Sequence, residues 1–163
     1  MNITLKPIEE RDAEEIIDIF NVYTQNSFSA YTETPLSYEM FESFTQLSWG
    51  YPALAARDAS QRIIGFGLLR PFSQLPAFSA TAEITSFIKP GYTGRGIGRL
   101  LLEHLEAMAR EMGLTSILAT MSSLNEGSRR FHRMNGFLEC GCLSGVGRKE
   151  GMTFDVIYCQ KIL

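Results

Sequence analysis

The chain of 163 residues reads as a single α/β (α+β) domain, a mixed central β-sheet flanked by helices. Three observations predict this. Segments of helical and of alternating periodicity are interspersed along the chain, not gathered into separate halves. Some neighbouring strands are close enough for hairpins, as in "ALAARDASQRIIGFGLLR", two apolar runs around Asp58-Ala59-Ser60-Gln61. A strand stopped by Pro90 then leads through a glycine-rich turn into a long amphipathic helix. No linker, repeat or low-complexity tract interrupts the sequence, so one domain is expected over residues 1–163.

In chain order, "RDAEEIIDIFNVYTQ" predicts the first helix. Asp12 and Glu15 stand in near capping-box spacing, and Ile16, Ile19, Phe20 and Tyr23 share one face. Ser37 is placed to cap a short second helix through Met40, Phe41, Phe44 and Leu47. The hairpin follows. In "ATAEITSFIKP", Ala82, Ile84, Ser86 and Ile88 alternate with Glu83, Thr85, Phe87 and Lys89. Leu101, Leu102, Leu105, Met108, Ala109 and Met112 mark a third helix that Gly113 ends. "TSILATM" is a strand, Ser128–Asn135 a short helix, and strands near 137–143 and 153–162 complete the order α, α, β, β, β, α, β, α, β, β.

Composition narrows the function. A net charge of −3 and a pI near 5.4 argue against nucleic acid or an anionic membrane as principal partner. No apolar run approaches the ~20 residues that span a bilayer, and "MNITLKPIEERDAEE" lacks the apolar stretch of a signal peptide, so a cytoplasmic protein is expected. Cys140, Cys142 and Cys159 form neither an even framework nor a C-x-x-C pair, and buried reduced thiols are expected. With two histidines, neither close to these cysteines in sequence, no metal site is expected.

"GYTGRGIGRLLLEHLEAM" places glycine at 91, 94, 96 and 98, just ahead of the third helix. A dinucleotide fingerprint needs glycine where Arg99 stands, and a Walker loop fails because Ile97 and Gly98 follow Gly96. The stretch is either a flexible surface loop or a cradle that presents bare main chain and a helix N-terminus to a phosphate.

The strand, glycine turn, helix and strand, followed by "NEGSRRFHRMNGF", together resemble the GCN5-related N-acetyltransferase (GNAT) superfamily. Its loop [RQ]-x-x-G-x-[GA] matches "TGRGIG", with Thr93 replacing the leading Arg or Gln. Within the superfamily the chain looks most like the phosphinothricin and methionine sulfoximine acetyltransferases. "FNVYTQNSFSAYTETPLS", "LRPF", "AEITSFIKP" and "GRKEGMTFDVIYCQKIL" fall in the order and spacing of that branch. The resemblance implies a single-domain GNAT fold with acetyl-coenzyme A in a cleft beside the central strand. It also implies an acetyl-coenzyme A-dependent N-acetyltransferase for a small-molecule primary amine, commonly a homodimer.

Residue by residue, the resemblance implies that main-chain N–H groups of Gly94, Arg95, Gly96, Ile97, Gly98 and Arg99 cradle the pyrophosphate. Ser86, Phe87 and Ile88 pair by main chain with the pantetheine, which resembles a peptide. Asn125 contacts the cofactor arm as well as capping its helix. Glu83, read alone, is either a solvated residue on a half-exposed face or a base. The family carries a glutamate at this distance from the strand-ending proline, which implies a general base. His132, otherwise a surface histidine on a short helix, stands where the family places the proton donor for the departing thiolate.

The acceptor side departs from the pattern. Ser73 and Leu75 stand where the branch has basic residues, Phe78 replaces a tyrosine and Thr153 a tryptophan, so a doubly acidic amino acid is expected to bind poorly. Tyr31, Phe78 and Asp155 are expected wall residues or ordinary structural groups. A peptide N-acetyltransferase and a non-catalytic acyl-coenzyme A-binding module remain as alternatives.

Overall fold

The computed structural model describes residues 2–46 and 48–163. Their elements are, in chain order, β1 (Thr4–Pro7), α1 (Ala13–Asn26), α2 (Phe41–Gln46), β2 (Ala53–Arg57), β3 (Ile63–Pro71), β4 (Thr81–Ile88), α3 (Ile97–Glu111), β5 (Ser116–Ser122), α4 (Glu126–Met134), β6 (Leu138–Lys149) and β7 (Met152–Ile162). The seven strands form one sheet in the order β1-β2-β3-β4-β5-β7-β6. Every neighbouring pair is antiparallel except β4 and β5, which are parallel and joined through α3. A parallel pair cannot be closed by a tight turn, so the long helix is what that connection requires.

Alternation along β4 feeds two cores. Ala82 and Ile84 pack with Leu101, Leu102, Leu105 and Ala109 of α3 on one face of the sheet. Phe87 turns to the other face, where Ile16, Ile17 and Phe20 of α1 and Phe41 of α2 cover Ala55, Ile63 and Phe66. Phe20, Phe44 and Phe66 contact one another or Phe87 mostly edge-on, with centroids 5.2–6.0 Å apart.

Several local expectations change. β1 precedes the first predicted helix. Its four residues are mostly exposed and carry no apolar alternation, and only pairing to β2 makes them a strand. Asp12 and Glu15 do not cap α1 with their side chains. Asp12 is buried in an ion pair with Arg57 (2.5 Å), and Glu15 accepts from the Ile63 N–H (2.9 Å), because tertiary partners outcompete the local cap. Ser37 precedes a 3-10 turn over Tyr38–Met40 but makes no side-chain capping bond. Leu47 lies outside the described residues. β6 runs to Lys149, well past 143, and is an exposed edge strand, so Cys140 and Cys142 are exposed and only Cys159 is buried. A bulge between Glu139 and Gly141 interrupts the ladder at Cys140.

Candidate active site

β4 and β5 are register partners only where Thr81–Glu83 meet Ser116–Leu118. Beyond that point the parallel strands splay, while β4 stays paired to β3 as far as Ile88. The Thr81 carbonyl accepts from Phe72 N–H and Lys89 N–H donates to the Ile64 carbonyl, so odd-numbered residues of this stretch face β3. Ser86 and Ile88 therefore turn their main-chain groups to the gap. The Tyr23 hydroxyl holds the Ile88 carbonyl at 2.5 Å, which leaves the Ile88 N–H and both groups of Ser86 for an extended guest. Phe87 does not share this role. Its main chain belongs to the β3 ladder, and its ring is buried against Phe20, Tyr23 and Phe66.

At the end of β4 the chain turns through the glycine loop into α3. Gly94 and Gly96 have φ of 73° and 82°, and a Cβ on either would meet nothing within 4 Å. These glycines serve the backbone path and leave the space beside it clear. Gly98 has a different reason: a Cβ there would lie 3.2 Å from the Phe131 ring, so it lets α4 approach α3. Gly96 is the N-cap of α3, and no side chain caps the helix. The first bond into the helix is Leu100 N–H to the Gly96 carbonyl, so the N–H groups of Ile97, Gly98 and Arg99 lack helical acceptors at the positive end of the dipole. The Ile97 side chain is core, Arg95 lies over the Tyr92 ring (5.3 Å), and Arg99 pairs with Glu103 (2.7 Å). What the loop offers an anion is main chain.

Glu83 and Arg70 are register partners on β4 and β3, and Arg70 Nη2 lies 3.0 Å from Glu83 Oε2. Thr120 of β5 donates from Oγ1 to Glu83 Oε1 at 3.1 Å. Arg70 Nε is buried without a hydrogen-bond partner among the described residues, while about a third of the side chain reaches solvent. Tyr31 comes from the loop after α1 and stacks on Phe154 of β7, with centroids 5.7 Å and planes 23° apart. Burial first, then the negative Glu83 and Tyr158, push the Tyr31 phenol up to about 12, so it stays a neutral hydroxyl. Tyr158 is the register partner of Thr120. Glu83, Arg70, Thr120, Tyr31 and Tyr158 thus make one polar wall on the α1 side of the sheet.

His132 is on the other side, packed edge-on against Phe131 and Phe137 (5.2 and 5.0 Å) in the region of the α3 core. Its Nδ1 lies 2.9 Å from the Ser128 carbonyl, which only accepts, so Nδ1 carries the hydrogen and Nε2 the lone pair. Burial lowers its pKa below 6.5 against the opposing Ser128 bond, so the ring is neutral at pH 7. Asn125 caps α4 through Oδ1, accepting from Ser128 N–H (3.0 Å), and donates from Nδ2 to Ser29 Oγ (2.9 Å). One amide hydrogen is left for another partner.

Two expected wall residues remain. Phe78 closes a 3-10 turn in the β3–β4 connection and packs edge-on against Phe72 (5.6 Å). Asp155 accepts from Gly145 N–H (2.7 Å) and its own N–H donates to Ser123 Oγ (3.0 Å), which braces the irregular β6–β7 register. Arg70, Thr120 and Tyr158 escape a motif reading because each belongs to a different strand. A charged residue ending the apolar run of β3, one hairpin away from Glu83, was the available signal for Arg70.

A splayed parallel pair with open main-chain groups, a helix N-terminus beside it and a carboxylate on the adjoining strand define an acyl-coenzyme A-dependent transferase. Residues 13–137 match the model of the acetyltransferase (GNAT) family, and the chain belongs to that family. It is an N-acetyltransferase that uses acetyl-coenzyme A as donor. Across 99% of its length it is 33% identical to phosphinothricin N-acetyltransferase of Streptomyces coelicolor, covering 96% of that protein. It is 28% identical to the L-methionine sulfoximine/L-methionine sulfone acetyltransferase of Pseudomonas aeruginosa, over 98% of this chain and 94% of the relative. The crystal structure of a phosphinothricin acetyltransferase from Sinorhizobium meliloti in complex with acetyl-coenzyme A superposes with a TM-score of 0.93 at 28% identity, covering all of this chain and 89% of that one.

Proposed function

We propose that the acceptor is the α-amine of a small amino acid or close analogue. The observation that carries this is the Arg70–Glu83 ion pair at 3.0 Å, its guanidinium about a third exposed. An amino acid has two charged ends, and this wall has a part-exposed guanidinium for the carboxylate and a carboxylate for the amine. The phosphinothricin and methionine sulfoximine acetyltransferases to which the chain is similar bear names of the same substrate class. Arg70 supplies the cation that Ser73 and Leu75 do not.

Acetyl-coenzyme A, when bound, supplies the activated acetyl thioester. Ser86, Ile88 and the N–H groups of residues 94–99 hold it. Glu83 removes the amine proton, directly or through water. An amine of pKa near 10 sits about three units from neutrality at pH 7, a burden of roughly 4 kcal/mol that a base must relieve. His132 is the second proton-handling candidate. As a neutral ring with Nδ1–H already engaged, it offers a lone pair and no proton, so its contribution is the smaller one. Residues 1–163 act as one catalytic domain, a homodimer in the cytoplasm. The exposed apolar residues of β6 and β7 and the three unpaired thiols support those two assignments.

A panel of amino acids, their amides and short peptides, with released coenzyme A trapped by a thiol reagent, tests the reading. Free amino acids should turn over fastest, and Arg70→Met should raise their KM far more than that of the amides. Faster turnover of peptides than of any amino acid would favour the peptide alternative. Tight acetyl-coenzyme A binding without turnover of any amine would favour the binding module.

A further inference from the structure

Lys149 takes no part in this chemistry, yet its side chain is among the most deeply buried in the protein, at 1% exposure. Its ammonium donates to three main-chain carbonyls: Thr24 (2.6 Å), Ser27 (2.6 Å) and Ala30 (2.8 Å). Three N–H groups meet three acceptors, so the group is fully used. Thr24 is in the last turn of α1 and Ser27 is its C-cap, where the helix dipole presents negative charge to a cation. The third acceptor, Ala30, immediately precedes Tyr31. A methionine would fill a similar volume without a desolvation cost, so the ammonium is explained by the carbonyls it gathers.

The same segment carries further ties. Asn125 Nδ2 donates to Ser29 Oγ (2.9 Å), the Thr24 and Thr32 hydroxyls lie 3.0 Å apart, and Glu150 N–H donates to Glu33 Oε1 (2.9 Å). Each ends on a different element, whereas Lys149 gathers the helix end, its C-cap and the residue before Tyr31 onto one ammonium. We propose that Lys149 is the positioning residue of the acceptor wall, fixing loop 27–31 so that Tyr31 stands stacked on Phe154 in that wall. The assignment rests on the acceptor reading above and adds a residue far from the reacting atoms.

Lys149→Met keeps the stem and removes the donors, and Lys149→Gln restores two of them. In the full-length protein, Lys149→Met should raise the KM of the best amino-acid acceptor by about tenfold or more while the KM of acetyl-coenzyme A stays within about twofold. Lys149→Gln should recover part of the loss. Amide hydrogen exchange should quicken in Lys149→Met over residues 27–33 and stay at the parental rate over α3. An acceptor KM at the parental value, or an acetyl-coenzyme A KM that rises in step with it, overturns the proposal. So does failure of both variants to fold, which makes Lys149 a stability residue. The exchange measurement needs no turnover, so it decides the clamp even if the parental protein acetylates no amine, the result that overturns the function reading instead.

Discussion

Glu83 meets Arg70 because residues 83 and 70 are opposite one another in an antiparallel ladder, and meets Thr120 because β5 is still paired to β4 at that point. The site carboxylate is therefore placed by the sheet, not by a loop. Glu83→Gln keeps the shape and loses the proton acceptor. Turnover at neutral pH should fall by about a hundred- to ten-thousandfold, with less loss at high pH where the amine is already neutral and with acetyl-coenzyme A affinity unchanged. Steady-state rates across pH, beside calorimetric titration of the cofactor, check this; parental rates at every pH would remove Glu83 from the mechanism. His132→Ala should be milder. His132 also links pH to stability. Its folded pKa is depressed below the ordinary 6.5, so between those values the unfolded chain binds the extra proton, and stability is lost as pH falls through that window. Thermal melts from pH 7.5 to 5 should show that loss on the acid side, and His132→Gln should flatten part of it.

At the scale of elements, the proposed donor site is the place where β4 leaves β5 and the chain turns into α3. The turn needs positive φ at Gly94 and Gly96 and leaves the first N–H groups of α3 unpaired. A Cβ at Gly96 would meet nothing within 4 Å, so the main folding cost of Gly96→Val is the left-handed backbone, about 1–2 kcal/mol. Its effect on acetyl-coenzyme A should be far larger than that strain implies, a loss of at least about tenfold in affinity, because the side chain projects where the pyrophosphate must reach the main chain. Gly113, at the other end of α3, is the control. Its φ is 81° and its Cβ space is equally empty, so Gly113→Val should lose similar stability and keep cofactor affinity. Calorimetric titration of both folded variants separates strain from site; equal affinities would overturn the main-chain cradle.

At the scale of the molecule, a seven-stranded sheet ends in β6, a twelve-residue edge strand whose Leu138, Leu143 and Val146 are exposed. Such an edge invites pairing unless something covers it. Light scattering at micromolar protein should return twice the 18.3 kDa chain mass, and Leu143→Lys on β6 should shift the population toward the monomer. A monomer for the parental protein would remove the dimer. The two cores separate the tasks of the sheet's faces. The α3 side carries the glycine loop and His132, and the α1 side carries Glu83 and the acceptor wall.

Periodicity alone determined most elements, because burial of one face writes itself into apolar spacing, as in α3 and β4. The glycine turn was legible for the same kind of local reason: positive φ and a helix start are properties of a few adjacent residues. β1 was illegible because four exposed residues become a strand only when β2 pairs with them. The proposed acceptor wall was decided by tertiary structure. Arg70, Thr120, Tyr31 and Tyr158 are far apart in sequence and converge on Glu83 through register and the loop after α1. Lys149 carries no local signal at all, since a lysine ending a strand ordinarily faces water. Only folding brings it beneath the carbonyls of Thr24, Ser27 and Ala30, and makes a charge worth burying there.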